Sequence, residues 1–157
     1  MLLIVYITNK KIHGGITLKL YPITQKDYEL VEEARNIIKK HYKHSRHQVG
    51  SAIRTKSGKI ITAVNIEAYL RKMDICAEAI AIGKFILDDE DKIETIVAVR
   101  YPHPYEENQE IKVVSPCGMC RELIHDYGSH IKVIISNNDT LEKYSIRELL
   151  PFKYKRR

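Results

Sequence analysis

The sequence predicts an α/β layered domain built on a mixed sheet, and three observations predict it. Helix-like and strand-like segments alternate along the chain. One pair of strands is joined tightly enough to be antiparallel, and the later strands are separated by helices long enough to be crossovers. At 157 residues the chain suits one domain with a buried core, and 44% hydrophobic against 29% charged residues is the balance of a soluble globular protein. No internal repeat, low-complexity tract or linker marks a further division.

The elements follow in order. The opening "MLLIVYI" is too short to span a bilayer and lacks the basic start and small-residue cleavage site of a signal peptide, so no membrane association and a cytoplasmic location are expected. Residues 1–22 read as an N-terminal extension ahead of a domain over residues 23–157. The extension has two readings: an added strand, or a leader before an alternative start at Leu18, behind a purine-rich stretch that Gly14 and Gly15 could encode. "ITQKDYELVEEARNIIKKHYK" carries Leu30, Val31, Ala34, Ile37, Ile38 and Tyr42 at helical spacing, with Thr24 and Asp27 as its N-cap. "VGSAIRT" and "KIITAV" alternate as strands around a "KSGK" turn that contains Gly58.

The run from Cys76 to Leu87 predicts a helix ended by the acidic "DDED", and "IETIVAV" a strand buried on both faces. "YPHPYEENQE" is a proline-marked loop. "RELIHDYG" after "VVSPCGMC" is a helix closing at Gly128, "IKVIIS" a second buried strand, and "NND" a turn. "YSIRELLP" predicts a short helix capped by Ser145 and stopped by Pro151.

Net charge is +6, with basic residues dispersed apart from "KKHYKHSRH" and the terminal "KYKRR". No predicted helix carries a basic stripe interleaved with aromatics, so nucleic acid is not the expected partner. The three cysteines are an odd number without a disulfide-framework spacing, and Cys117 and Cys120 form a C-x-x-C. In a cytosolic chain that pattern points to metal or redox chemistry.

Cys76 and the Cys117/Cys120 pair stand at the heads of two separate predicted helices, where the partial positive charge of a helix N-terminus favours thiolate. Three converging thiolates suit Zn2+, one ion per chain, and leave the fourth tetrahedral position open, as in a catalytic site. None of the seven histidines supplies a fourth ligand at matching spacing. Glu78, two residues beyond Cys76, can lie over the metal without binding it and exchange protons with water. A cysteine, one residue, a glutamate and, about forty residues later, P-C-x-x-C is the signature of zinc nucleobase deaminases. A structural zinc module would need neither Glu78 nor an open position, and a polynucleotide-editing enzyme would need a basic groove.

"CAE", "PCGMCRE" and "NIEAY" resemble the cytidine deaminase family in its form with three cysteine ligands. Within it, "AIRTKSGKI", "IEAY", "CAEAIAIG", "TIVAVR" and "VVSPCGMCREL" are similar to the bacterial branch that deaminates blasticidin S, over about Ile23 to Tyr154. The resemblance implies a three-layer cytidine deaminase-like fold with a five-stranded mixed sheet flanked by helices, assembled as a homotetramer. It implies hydrolytic deamination at C4 of a small-molecule cytosine nucleoside, either blasticidin S or the cytidine and deoxycytidine of pyrimidine salvage.

Residue by residue, it makes Cys76, Cys117 and Cys120 zinc ligands and Glu78 the proton shuttle. Ala77 N–H and the Ser115 carbonyl would hold the pyrimidine, Asn65 and Glu67 the sugar. Tyr154 would line a neighbouring subunit's site. Taken alone, Asn65 reads equally as a turn residue and Glu67 as a surface charge. The family's arginine after "CAE" is Ala79 here, which leaves the helix N-termini and Arg121 to offset thiolate charge. The family's aromatic before the "VG" strand is His47, followed by Gln48, and both are candidate substrate contacts. Arg71, Lys72 and Lys112 could supply a positive rim for a substrate carboxylate.

Overall fold

The computed structural model describes residues 7–11, 15–88 and 91–155; the first six residues of the "MLLIVYI" opening, Gly14, the middle two residues of "DDED" and the last two arginines lie outside them. Among the described residues eight strands form one sheet: β1 (Thr8–Lys11), β2 (Thr17–Tyr21), β3 (Val49–Thr55), β4 (Ile60–Val64), β5 (Ile93–Arg100), β6 (Lys112–Val114), β7 (Lys132–Asn137) and β8 (Thr140–Ser145). Their order is β1-β2-β8-β7-β5-β3-β4, with β6 also paired to β5. Only β5 and β7 run parallel; the other pairs are antiparallel.

The sheet is therefore mixed, as expected, but wider than the five strands the resemblance implies. The hairpin of β1 and β2 adds to the β8 edge through Leu20↔Tyr144 and Tyr21↔Lys143. The third addition, β6, pairs with β5 at Ala98–Arg100, beyond the Thr95–Val97 stretch that β7 occupies. The short helix capped by Ser145 stands as expected, but the strand leading into it, β8, carries no strand pattern in the sequence. Glu142 and Lys143 of that strand are buried charges, 5% and 8% exposed, so the strand shows no apolar alternation.

Among the described residues four α-helices cover the two faces: α1 (Gln25–His41), α2 (Ala77–Asp88), α3 (Gly118–Tyr127) and α4 (Ile146–Leu149). Strand residues alternate between them, as the pleat demands. Ala52, Val97 and Ile134 pack under α1 with Leu30, Val31, Ala34 and Ile38. Their neighbours Ile53, Ile96 and Val133 face Ala81, Ile82, Ile124 and Ile146 of the other three helices. The result is three layers. α1 approaches β3 so closely that a Cβ on Gly50 would lie 2.5 Å from the Ala34 carbonyl oxygen and 2.9 Å from Ile38 Cβ. Only glycine fits there without moving the helix.

The N-terminus of α1 is pinned by a buried ion network. Asp27 Oδ2 accepts from the Thr24 N–H and hydroxyl, both at 2.9 Å. Its Oδ1 accepts from Arg54 Nη2 at 2.8 Å, and Lys143 of β8 donates to Oδ2. Arg54 also donates to Glu94 Oε2 (2.6 Å) and the Lys26 carbonyl (2.6 Å), which ties α1 to β3 and β5. Burial works against ionising Asp27, yet the bonds from Lys143 and Arg54 hold its carboxyl below the ordinary carboxylate range. A carboxyl lower in the folded than in the unfolded chain stabilises above about pH 4, and that stabilisation is lost as pH falls through the folded value. Asp27→Asn strands two cations, so it should cost about 3–5 kcal/mol in urea unfolding at neutral pH and remove part of the acid-induced loss of stability.

Candidate active site

α2 and α3 begin side by side, and the residues at their starts form the site. The Cys76 carbonyl accepts the first-turn N–H groups of Ala79 (3.1 Å) and Ile80 (3.3 Å), so Cys76 stands at the N-terminus of α2. Cys117 is the N-cap of α3; its sulfur accepts the Cys120 N–H at 3.5 Å, the place a serine or aspartate oxygen usually takes. The Sγ atoms of Cys76, Cys117 and Cys120 all lie within 4.8 Å of one another, and Cys76 and Cys117 are 3.8 Å apart. A tetrahedral zinc with Zn–S bonds of about 2.3 Å has S–S edges of about 3.8 Å. The donor set fits the metal.

The electrostatics agree. Burial pushes the Cys76 and Cys120 thiols up. Burial also opposes ionisation of Cys117, yet the Cys120 N–H holds that thiol below its usual range. Ionising all three at this spacing would need a cation between them, which a bound metal supplies. Arg121 donates to the Pro116 carbonyl (3.0 Å) and the Leu149 carbonyl (3.2 Å), which brings a positive charge to the ligand loop. Ala79, in place of the family's arginine, borders a cavity of about 550 Å³ on the far side of Cys76, between α2 and α3.

Glu78 is 5% exposed in the first turn of α2, and burial pushes its carboxyl up. It lines a cavity of about 310 Å³ together with Cys76, Cys117, Ala77, Ser115, Asn65 and Glu67. The structure thus gathers seven of the sequence-predicted residues around one space of nucleoside size.

Cys120 completes the sulfur cluster beside this space, and the other three lie elsewhere. Gln48 Nε2 donates to the Tyr101 carbonyl (3.1 Å), turned from the cavity, and His47 Nδ1 bonds the Asn65 carbonyl (2.7 Å). Tyr154 is 73% exposed beyond α4. The Gln48 and Val49 N–H groups both donate to Asn65 Oδ1, at 2.7 and 2.8 Å, backbone contacts with no mark in the sequence. They fix the carboxamide so that its nitrogen points to Glu67 Oε1, 3.4 Å away. Of the three rim candidates, Arg71 lines the cavity. Lys72 is exposed on the turn beside it, and Lys112 pairs with Asp139 (2.9 Å) in a separate groove.

Comparison with known proteins agrees with this geometry. Residues 24–136 match the cytidine and deoxycytidylate deaminase zinc-binding region, and the chain belongs to that family. It is a zinc-dependent aminohydrolase by fold and donor set. The chain is 51% identical over 139 residues to blasticidin-S deaminase of Bacillus cereus, which covers 88% of this chain and 99% of that protein. A cytidine deaminase of Halalkalibacterium halodurans is 29% identical over 110 residues, 69% of this chain and 77% of its own. The crystal structure of Bacillus anthracis cytidine deaminase superposes with a TM-score of 0.69 at 24% identity, over 81% of this chain and 88% of that one. That of the Burkholderia pseudomallei enzyme gives 0.67 at 24%, over 84% and 100%, and both show a common fold.

Cys117 is the cap of α3 and one of three sulfurs placed to hold a metal. Cys117→Ser keeps a good cap but loses the thiolate, so it should drop zinc well below one ion per chain by elemental analysis and lower the thermal midpoint through the lost metal. Undiminished zinc in that variant would contradict the assignment.

Proposed function

We propose that the enzyme deaminates blasticidin S at C4 of its cytosine ring, releasing ammonia, and takes cytidine as a weaker substrate. The observation that carries this is the 51% identity spanning 99% of the Bacillus cereus blasticidin-S deaminase, against 29% for the cytidine deaminase comparison above. Such an activity confers resistance to the antibiotic. We further propose a cytoplasmic homotetramer whose domain spans residues 23–157, with Tyr154 closing a neighbour's cavity. No described helix is long and apolar enough to cross a membrane.

Zinc held by Cys76, Cys117 and Cys120 would supply the Lewis acidity that makes water nucleophilic at neutral pH. The chain's own residues do the rest. The Ala77 N–H and Ser115 carbonyl hold the pyrimidine ring so that C4 faces the thiolate cluster. Glu78 takes one proton of the attacking water and delivers it to the ring nitrogen beside C4, then takes the second from the new C4 hydroxyl and delivers it to the amino group, which departs as ammonia. Its burial keeps bulk water from short-circuiting that transfer. Asn65, held by two backbone N–H groups, presents its amide nitrogen beside Glu67 on the sugar side. That pair favours the second reading, an ordinary cytidine or deoxycytidine deaminase of pyrimidine salvage.

Ammonia release from blasticidin S, cytidine, deoxycytidine and single-stranded DNA, measured side by side, separates the readings. The expected order places blasticidin S first in kcat/KM and single-stranded DNA without turnover; cytidine first would establish the salvage reading. Glu78→Gln should keep zinc and fold but lose about 10²–10⁴-fold in kcat on every substrate, since an amide has no carboxyl proton to relay.

A further inference from the structure

The chain between β4 and α2 closes on itself. Ile66 and Ile75 exchange backbone hydrogen bonds in both directions, each 2.9 Å, and Asp74 Oδ1 accepts the Ala68 N–H at 2.7 Å. The loop is clipped at its neck one residue before Cys76, so what it carries is held in fixed relation to the metal ligands. Its tip, with Tyr69 and Leu70, is exposed, but Arg71 lines the active-site cavity.

Arg71 Nη1 donates to Glu67 Oε2 at 3.1 Å and lies 3.8 Å from Asp74 Oδ2. The Glu67 side chain is only 14% exposed, that of Arg71 70%. Two consequences follow. Glu67, with one oxygen taken by Arg71 and the other facing Asn65 Nδ2, has both oxygens engaged before any sugar hydroxyl arrives. Arg71, in contrast, uses Nη1 for these pairs; its guanidinium carries five donors in a planar fork, enough to take a second carboxylate.

We propose that Arg71 is a specificity-determining residue: it binds an anionic substituent on the sugar and so selects a carboxylate-bearing cytosine nucleoside over one bearing hydroxyls alone. This rests on the blasticidin S reading above, whose substrate has a carboxylate on its sugar ring. A charge-assisted pair of this kind is about twice as strong as a neutral hydrogen bond. A ribose offers Arg71 no such partner, and its hydroxyls must share Glu67 oxygens that each already accept one donor.

The test compares blasticidin S, its carboxyl methyl ester and cytidine on wild type, R71A and R71K, with zinc content and circular dichroism as controls for fold. Where turnover is absent, inhibition of cytidine deamination gives the affinity. Wild type is expected to prefer the acid over the ester. R71A should lower kcat/KM for the acid about 10–100-fold, mostly through KM, and abolish that preference. R71K should restore part of it, having the charge without the fork. An acid-over-ester preference unchanged in R71A, or an equal loss on both, would overturn the role of Arg71. The parent reading fails differently, by wild-type preference for cytidine over blasticidin S.

Discussion

Two helices must begin at the same place for this site to exist. Thiolates at α2 and α3 repel one another, and each is costly to bury. Their convergence is imposed by the sheet, because β4–α2–β5 and β6–α3–β7 both return to the same face, where Ala81, Ile82 and Ile124 share one core. The helix N-termini then place unpaired N–H groups and partial positive charge where the sulfurs gather. Cys117 satisfies the N–H of Cys120 while offering its remaining lone pairs to a metal. Arg121 braces the loop from behind through the carbonyls of Pro116 and Leu149, so α4 also supports the metal centre.

The sugar side of the cavity is built from the opposite end of the same logic. Asn65 lies just past β4, and its side-chain oxygen takes the N–H groups of Gln48 and Val49 at the start of β3. The antiparallel register of that hairpin, Gly50↔Val64, therefore sets where the carboxamide points. Gly50 lets α1 press on β3, and Asp27, buried among Arg54 and Lys143, keeps α1 from sliding along it. Packing on the face remote from the metal thus fixes the geometry of a polar group beside it.

Much of this was legible in the sequence, for identifiable reasons. The metal centre is encoded by residue type at short spacing, so Cys76, Glu78, Cys117 and Cys120 could be read without a fold. The α1 stripe and the β3–β4 hairpin follow from periodicity and Gly58. The strand β8 was hidden because Glu142 and Lys143, charged in sequence, are buried in structure. The loop closed by Ile66 and Ile75 is held by backbone hydrogen bonds, which leave no mark on side-chain pattern. His47 and Gln48, candidate substrate contacts in the sequence, bond the carbonyls of Asn65 and Tyr101.

The central claim is that three thiolates hold one zinc and leave a fourth position to water. X-ray absorption at the zinc edge on the purified enzyme tests it most directly. The account predicts three sulfur neighbours at about 2.3 Å and one oxygen or nitrogen at about 2.0 Å that changes when a cytosine-nucleoside inhibitor is added. A first shell of two sulfurs, or a closed four-protein-ligand shell unmoved by the inhibitor, would contradict it.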